Sequence, residues 1–288
     1  MRALVFSIDD AYVMPFQVLW YSLMKTESVP NDVPIFMLHA ETLSQDSIKN
    51  VTNFLGRFGR TAIFKDARSF VPDDVPISGH ISKATYYRLF LASILPNEIS
   101  SVVYLDSDAV VIRPIRQLFD MQLTKPIAAA DHMTPQIAFR MWGDLCGNYF
   151  QAGVLLADLS RWRENHTEEM FRKILIEERD RIVWWDQDVL NIAFENDWQR
   201  LPIWFNLSRF ARFQIPEAAA FENGCFLHLE GGEKPWKIYS KDWADQIWYE
   251  LYFETYGEKF NKKKIQRPIW RTLLSVPKRI IKRVLSHS

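Results

Sequence analysis

The ten residues Val102-Val103-Tyr104-Leu105-Asp106-Ser107-Asp108-Ala109-Val110-Val111 decide how the chain is interpreted. A short apolar run delivers two carboxylates, one residue apart, into a turn, and apolar sequence then resumes at once. Because side chains alternate along a strand, Asp106 and Asp108 would point the same way and could reach one cation. Hard divalent cations such as Mg²⁺ and Mn²⁺ bind carboxylates together with substrate phosphates. The alternative is a pair of solvated acids in a turn.

The sequence before this segment alternates strand-like and helix-like runs. Apolar runs predict strands at 4–8, 33–38, 61–64 and 102–105, and helical spacing predicts helices at 13–24, 44–58 and 82–95, with Ser44 as an N-cap. This order predicts an α/β fold with a mostly parallel sheet covered on both faces. Such sheets bind ligands beyond the carboxyl ends of their strands, where Asp9–Asp10 and Asp106–Asp108 both fall.

The charge of the chain is segregated along the sequence. Lys plus Arg and Asp plus Glu number 35 each, but no acidic residue follows Glu258 and ten basic residues do. The rest of the chain therefore has 25 basic against 35 acidic residues, a net charge of −10. We expect one domain at residues 1–258 and a basic helical tail with its own partner at 259–288.

Apolar residues in the tail recur at helical spacing between basic ones. The apolar positions are Ile269, Trp270, Leu273, Leu274, Ile280, Ile281, Val284 and Leu285. Basic amphipathic segments with Trp at the boundary lie in the interface of anionic membranes, which we expect as the partner. Nucleic acid is not expected, because the acidic domain lacks a broad basic footprint. A solvated helix docked on the domain is the other alternative.

Composition excludes several classes of protein. With 48% hydrophobic residues and no net charge, the chain does not resemble a disordered protein. Its two cysteines, Cys146 and Cys225, are too few for a disulfide scaffold and favour a reducing compartment. The first apolar run turns acidic at Asp9, unlike a signal peptide, and no run reaches the roughly 20 residues of a membrane-spanning helix. We expect a cytoplasmic protein, peripheral on the inner face of the cytoplasmic membrane.

Six segments, taken together and in order, resemble glycosyltransferase family 8, which includes bacterial lipopolysaccharide galactosyl- and glucosyltransferases and glycogenin. The resemblance extends from Val5 to about Trp236. The segments are FSIDDAY (6–12), HISKATYYRL (80–89), YLDSD (104–108), YFQAGVLL (149–156), DQDVLN (186–191) and HLEGGEKPW (228–236). Each is weak alone, and six in order are specific. The resemblance implies a GT-A type fold, a single nucleotide-binding α/β domain.

The resemblance also implies a cation site. Asp106 and Asp108 would hold Mn²⁺, or alternatively Mg²⁺, together with His228, and the ion would bridge the diphosphate of a UDP-sugar. Gly231 would let the backbone approach phosphate, and Lys234 would supply a point charge. The cation and Lys234 would stabilise the negative charge that develops on the UDP leaving group. Without the resemblance, a lone histidine such as His228 is more often a satisfied core or surface residue.

The nucleotide contacts are carried over in the same way. Asp9 would lie beside the uracil, Tyr12 beside the base or ribose, and Ser107 against the nucleotide. Ala11 stands where the lipopolysaccharide enzymes carry Asn, so one base or ribose contact is absent. Asp9 and Asp10 could instead cap the helix that begins near Val13, and both roles can coexist.

The sugar contacts and the chemistry centre on a further group of residues. By resemblance, Arg88 would approach the diphosphate or donor sugar, and Asp131, Gln151 and the pair Asp186–Gln187 would surround the sugar. Gln151 replaces an expected Asn, which leaves the choice of hexose open. The alternative for Arg88 is an exposed helix residue in an ion pair.

The reaction implied by the family retains anomeric configuration. Gln187 occupies the position where a nucleophile would be sought, and an amide is a poor one. We therefore expect front-face substitution, with the leaving diphosphate taking the proton of the acceptor. The acceptor would lie against His80 and the region 133–148, whose Phe139, Met141 and Trp142 could form a lid or could be buried core.

The sequence thus predicts a retaining hexosyltransferase that moves galactose or glucose from a UDP-sugar to a lipid-linked saccharide, such as the core of lipopolysaccharide. Two other functions stay open. A metal-dependent nucleotidyltransferase or sugar-nucleotide hydrolase also uses paired carboxylates, but residues 228–236 argue against it. The other is a catalytically silent UDP-sugar-binding module. The presence of all three expected metal ligands argues against it.

Overall fold

A computed structural model describes residues 1–40, 42–77, 82–132 and 148–261. No helix in these ranges combines the length and the apolar character that crossing a membrane requires. The tail from residue 262 onward, His80, and Phe139, Met141 and Trp142 lie outside the described residues.

Within the described ranges, seven strands form one central sheet in the order β3-β2-β1-β4-β7-β6-β8, and two more form a small second sheet. The strands are β1 (Arg2–Ser7), β2 (Ile35–His39), β3 (Ile63–Asp66), β4 (Ser101–Leu105), β5 (Ala109–Val111), β6 (Ile127–Asp131), β7 (Phe150–Asp158), β8 (Gln199–Leu201) and β9 (Phe226–His228). Four neighbouring pairs of the central sheet are parallel, and only β7 runs against its two neighbours. The prediction of an α/β fold with a mostly parallel sheet is confirmed.

The described helices follow the strands in alternation through the first half of the chain. The α-helices are Val13–Lys25, Gln45–Gly56, Leu91–Ile94, Gln117–Asp120, Leu159–Glu164, Thr167–Glu177, Trp185–Ala193, Arg209–Gln214, Glu217–Asn223 and Trp243–Tyr256. Short 3₁₀ segments are Asp10–Tyr12, Arg68–Phe70, Lys83–Phe90, Arg179–Arg181 and Ile203–Asn206. Ser44 caps the second α-helix, as the sequence predicts, by accepting a hydrogen bond from the Ser47 N–H.

Both faces of the sheet are buried, which is why its strands are continuous apolar runs rather than alternating ones. On β1, Ala3 and Val5 belong to the core on one face, together with Phe90. Leu4 and Phe6 belong to the core on the other face, where the helix Val13–Lys25 packs. The sheet is therefore covered on both faces, and the loops that follow its strands lie at its carboxyl edge.

The predicted helix at 82–95 differs in its winding. Residues Lys83–Phe90 form a 3₁₀ helix, and only Leu91–Ile94 is α-helical. Side chains three residues apart lie above one another in a 3₁₀ helix. This winding therefore brings Thr85 and Arg88 to the same side, where both contact Asp186.

The small sheet brings the end of the chain back to the Asp-Ser-Asp turn. Strand β5 begins directly after Asp108 and pairs antiparallel with β9, so that Ala109 lies opposite His228. The Leu229 N–H donates to the Asp108 carbonyl at 2.8 Å. Residues that are far apart in sequence are thereby fixed side by side at the carboxyl edge of β4.

Candidate active site

Asp106, Asp108 and His228 meet at the carboxyl edge of β4. One potential ligand atom from each lies within 4.8 Å of the others. His228 Nε2 is 3.1 Å from Asp108 Oδ1 and 3.7 Å from Asp106 Oδ2. Two carboxylates and an imidazole form a donor set that suits a hard or borderline divalent cation such as Mn²⁺ or Mg²⁺. The predicted metal residues are therefore brought together with geometry that fits one ion.

Lys234 lies against the same group. Its ammonium contacts an Asp108 carboxylate oxygen and donates to the Leu229 carbonyl at 2.8 Å, and the residue is only 2% exposed. Burial would raise the pKa of Asp108, but Lys234 and His228 outweigh burial and hold that pKa well below its usual range. Asp108 is thus an anion, held in place by two cationic or hydrogen-bonding partners.

His228 is enclosed by polar neighbours on its far side. Gln151 Nε2 lies 2.9 Å from His228 Nδ1 and donates to Glu230 Oε2 at 3.0 Å. Burial would lower the pKa of His228, but Asp108, Glu230 and Asp106 together raise it. A second proton on Nδ1 would nevertheless point at the Gln151 amide N–H, which opposes the doubly protonated ring. The singly protonated ring is the form that fits these contacts.

Gly153 is necessary for this arrangement. A Cβ at this position of β7 would overlap the His228 imidazole and lie 2.9 Å from Gln151 Oε1. Glycine therefore lets the imidazole lie in close contact with the strand. Gly231 is needed for a different reason, because its φ of +87° is a left-handed conformation that favours glycine.

Arg88 lies under the carboxylates and is not exposed. It donates to both oxygens of Asp106 and, through Nη1, to the Ala152 carbonyl at 2.6 Å. Its Nε lies 2.8 Å from Asp186 Oδ2 as an ion pair. Burial would lower the pKa of Arg88, but Asp106 and Asp186 outweigh burial and raise it. Through these contacts Arg88 joins the cation site to the helix Trp185–Ala193.

Asp186 and Gln187 begin that helix and face β7. Burial raises the pKa of Asp186 to about 6, against the influence of Arg88 and of the hydrogen bond from Thr85. The Gln187 amide oxygen accepts from the Ala152 N–H at 2.9 Å, and its Nε2 donates to the Tyr149 hydroxyl at 3.2 Å. Gln187 is therefore oriented by the strand that carries Gln151, whereas Asp186 is held by Thr85 and Arg88.

The predicted nucleotide residues lie at the ends of β1 and β4. Asp9 accepts from the Tyr12 N–H at 3.1 Å, which is the capping role that its position allows, and burial raises the pKa of Asp9. Tyr12 packs edge-on against Trp236, with ring centroids 6.0 Å apart. The buried Ser107 hydroxyl points back to the Ser7 carbonyl at 3.4 Å. These residues lie on the same edge of the sheet as the cation residues.

Asp131 lies farther along this edge, at the end of β6. Arg200, from the neighbouring strand β8, donates to Asp131 Oδ2 at 2.6 Å and to Asn148 Oδ1 at 2.8 Å. The Arg200 guanidinium also lies over the Trp198 ring at 4.5 Å. Asp131 is thus held by a partner of its own rather than by the Arg88 network.

Several residues of the site are not singled out by the sequence alone. Gly153 and Glu230 stand inside quoted motifs, but their contacts with His228 and Gln151 depend on the pairing of β7 with β4 and of β9 with β5. Thr85 lies in the quoted segment 80–89, and its contact with Asp186 depends on the packing of that segment against the helix Trp185–Ala193. Buried Asn206, which donates to Gln151 Oε1, carries no local signal at all.

Comparison with known proteins gives a consistent assignment. The family model described as glycosyl transferase family 8 matches residues 3–239. General stress protein A of Bacillus subtilis is 25% identical over 248 residues, which cover 81% of this chain and 86% of that protein. The lipopolysaccharide 1,2-glucosyltransferase of Escherichia coli K12 is 28% identical over 167 residues, which cover 54% of this chain and 49% of that protein.

The crystal structure of the galactosyltransferase LgtC, in complex with donor and acceptor sugar analogs, superimposes with a TM-score of 0.73. The match covers 88% of this chain and 96% of that one, at 24% identity, and shows that the fold is shared. With its GT-A type fold and a family match over most of its length, the chain belongs to glycosyl transferase family 8.

Proposed function

We propose that this chain is a retaining hexosyltransferase that transfers galactose or glucose from a UDP-sugar to a lipid-linked saccharide. The observation that carries the proposal is the meeting of Asp106, Asp108 and His228 at the carboxyl edge of the sheet, with buried Lys234 beside them. A parallel sheet binds its ligand at this edge. With a divalent cation bound, this group would present positive charge to the diphosphate of a nucleotide.

The cation residues would hold Mn²⁺ or Mg²⁺, which, when bound, neutralises the diphosphate and stabilises it as a leaving group. Lys234 would add a fixed positive charge to the same oxygens, since its amine is buried within contact of Asp108. Gly231 would let backbone N–H groups approach the phosphates. Asp9, Tyr12 and Ser107 would orient the uridine at the ends of β1 and β4.

Front-face substitution is the mechanism that these residues support best. The acceptor oxygen forms a bond to the anomeric carbon as the bond to the UDP oxygen breaks, and the acceptor proton passes to the departing phosphate. A double displacement would need a carboxylate nucleophile. Gln187 is an amide, and Asp186 is engaged by Thr85 through one oxygen and paired with Arg88 through the other.

The sugar would lie between the Asp186–Gln187 pair, Gln151 and Arg88, with Asp131 farther along the edge of the sheet. In this proposal Arg88 holds the carboxylates of Asp106 and Asp186 in position beside the sugar. The basic residues at 259–288 would bring the enzyme to an anionic membrane that carries the acceptor.

The test is UDP release from a panel of UDP-hexoses, with Mn²⁺ or with EDTA, by the full chain. We expect slow hydrolysis of one donor that needs Mn²⁺ and is lost in Asp108→Asn. Asp197→Asn, which changes an exposed aspartate paired with Lys125, is the matched control and should retain the activity. Mn²⁺-dependent UDP binding without turnover of any donor would favour the silent binding module, and no UDP binding would refute the proposal.

A further inference from the structure

The Gln151 side chain contacts four groups at the centre of the site. Its amide oxygen accepts from the Gly153 N–H at 2.6 Å and from Asn206. Its amide nitrogen lies 3.0 Å from Glu230 Oε2 and 2.9 Å from His228 Nδ1. Gln151 is 5% exposed and His228 2%, so water does not compete freely for these contacts.

These neighbours fix which way the amide points. The Gly153 N–H is a backbone donor and must face the amide oxygen, whereas the Glu230 carboxylate is an acceptor and must face the amide nitrogen. The other oxygen of Glu230, Oε1, also accepts, from the Phe210 N–H at 3.3 Å. The reversed amide would place two donors together at Gly153 and two acceptors together at Glu230. The Gln151 N–H therefore points at His228.

The orientation of the amide decides the tautomer of His228. An amide nitrogen cannot accept a hydrogen bond, so His228 Nδ1 must be the acceptor of the pair. A neutral imidazole with an unprotonated Nδ1 carries its proton on Nε2. That nitrogen lies 3.1 Å from Asp108 Oδ1, where the N–H finds a carboxylate acceptor.

We propose that Gln151 and Glu230 are positioning residues that hold His228 as the Nε2–H tautomer and thereby weaken the binding of a free divalent cation. The cation part of this inference rests on the proposed function, whereas the tautomer does not. A ligating histidine needs a lone pair on the nitrogen that faces the ion and usually donates its other N–H to a carboxylate or carbonyl. In this chain the second nitrogen, His228 Nδ1, faces the Gln151 amide N–H, which is a donor. The Glu230 carboxylate lies on the other side of that amide and does not contact the ring directly.

Cation binding through His228 Nε2 therefore requires a rearrangement. The proton on Nε2 must leave, and a proton must be taken up from water on Nδ1, where the Gln151 N–H now lies. The net number of protons on the ring does not change, but a donor–donor contact forms unless the amide moves. Asp106 and Asp108 alone would then bind the ion in the absence of nucleotide.

The first experiment is a two-bond ¹H–¹⁵N correlation spectrum of the full chain with ¹⁵N-labelled histidine, recorded at about pH 8, above the ordinary histidine pKa. His228→Asn identifies the signal. We expect the shifts of a pyrrole-type Nε2 and a pyridine-type Nδ1. The inference is wrong if Nδ1 carries the proton, either alone or together with Nε2.

The second experiment exchanges the two side chains in the double variant Q151E/E230Q, which preserves the net charge. The carboxylate introduced by Q151E can still accept from Gly153 and can also accept from a protonated Nδ1, while the amide introduced by E230Q can donate to that carboxylate. We expect His228 to become the Nδ1–H tautomer, with the signal of His39, whose Nδ1 lies 3.1 Å from the Ala40 carbonyl, unchanged as an internal control. An unchanged tautomer in the folded double variant would overturn the inference.

Calorimetric titration with Mn²⁺ alone measures the consequence. We expect the double variant to bind Mn²⁺ about tenfold more tightly than the wild type, the lower end of the effect seen for residues behind metal ligands. Equal or weaker binding would refute the cation part of the inference. Failure of the wild type to bind UDP with Mn²⁺ would instead refute the proposed function and leave the tautomer result standing.

Discussion

Arg88 donates two hydrogen bonds to Asp106, at 2.7 Å from Nη2 to Oδ1 and at 3.2 Å from Nη1 to Oδ2. The same guanidinium pairs with Asp186 at 2.8 Å. The Arg88 side chain is 6% exposed and that of Asp186 4%. A single buried cation therefore compensates two carboxylates that come from different parts of the chain. Its removal would leave both of them uncompensated.

We predict that Arg88→Met destabilises the protein by about 3–5 kcal/mol, the cost of removing one partner from a buried ion pair. Methionine preserves much of the apolar part of the arginine side chain. The decrease in the free energy of unfolding therefore comes from the lost charge and hydrogen bonds rather than from a cavity. Urea unfolding at neutral pH, followed by circular dichroism, measures the free energy of unfolding.

Lys125→Met provides the control for this prediction. Lys125 pairs with Asp197 at 2.8 Å, but the two side chains are 46% and 54% exposed. Exposed pairs contribute about 1 kcal/mol or less. A loss in Arg88→Met no larger than in Lys125→Met would show that Arg88 is not what compensates Asp106 and Asp186.

Asp188 gives a prediction for the pH dependence of stability. Burial raises its pKa to about 6, although Tyr149 and two backbone N–H groups donate to it. A raised carboxyl pKa means that the folded state binds the proton more tightly than the unfolded state. The contribution to stability is therefore present below the unfolded pKa and is lost as pH rises through the folded pKa.

We compare the free energy of unfolding of the wild type with that of Asp188→Asn at each pH. The difference should fall by about 3 kcal/mol between about pH 4 and about pH 6, since one pKa unit corresponds to about 1.4 kcal/mol.

The variant Asp10→Asn is the control and should show a difference of the opposite sign, because a hydrogen bond from the Ser44 N–H lowers the pKa of Asp10. Its contribution is lost as pH falls below the unfolded value. Urea titrations at a series of pH values give both differences, and a flat difference for Asp188→Asn would contradict the prediction.

The first half of the fold could be predicted from the sequence because each element is specified locally. The strand β1, the helix that follows it and the Ser44 cap all have the expected type and nearly the expected bounds. The reversed direction of β7 could not be predicted. Eight of its nine residues are buried and most are apolar, and such a segment fits either direction until its neighbours are known.

The candidate site divides in the same way. Asp106 and Asp108 could be found because a strand followed by two carboxylates is a local pattern. His228 is reached only through a family resemblance, and its place beside Asp108 depends on the β5–β9 pairing. The contacts of Gln151 with Glu230 and Asn206 are entirely non-local. Positioning contacts of this kind can be seen only when the chain has folded.

Gly153→Ala tests whether the close contact between β7 and His228 is required. The added Cβ would overlap the imidazole, so the ring or the strand must shift. We predict at least a tenfold loss of Mn²⁺-dependent UDP binding, because a ligand displaced by about an ångström no longer meets the other two. Titration calorimetry measures the binding and urea unfolding measures the stability, which we expect to fall by about 1–3 kcal/mol.

Gly56→Ala is the matched substitution for this test. Nothing lies within 4 Å of a Cβ at Gly56, which is the last residue of the helix Gln45–Gly56. Alanine there should leave UDP binding unchanged and should preserve or raise the stability, by up to about 1 kcal/mol. If Gly153→Ala also left binding unchanged, the contact between Gly153 and His228 would not be what positions the imidazole.

The basic tail provides the last prediction, which concerns the membrane. The quadruple variant K278E/R279E/K282E/R283E reverses four charges between apolar positions of the sequence. Each Lys or Arg near an anionic surface contributes about 1 kcal/mol, so sedimentation with phosphatidylglycerol vesicles should show at least a hundredfold weaker binding of the full chain. Hydrolysis of the UDP-sugar in solution should be unchanged, because these residues lie outside the family match at 3–239.

Two controls accompany this prediction. Raising the salt concentration should weaken the binding of the wild type to anionic vesicles, and vesicles of neutral phosphatidylcholine should bind neither protein. Equal binding of wild type and variant to anionic vesicles would show that the tail is not the membrane anchor, and that a partner other than lipid explains why its charge is segregated from the acidic domain.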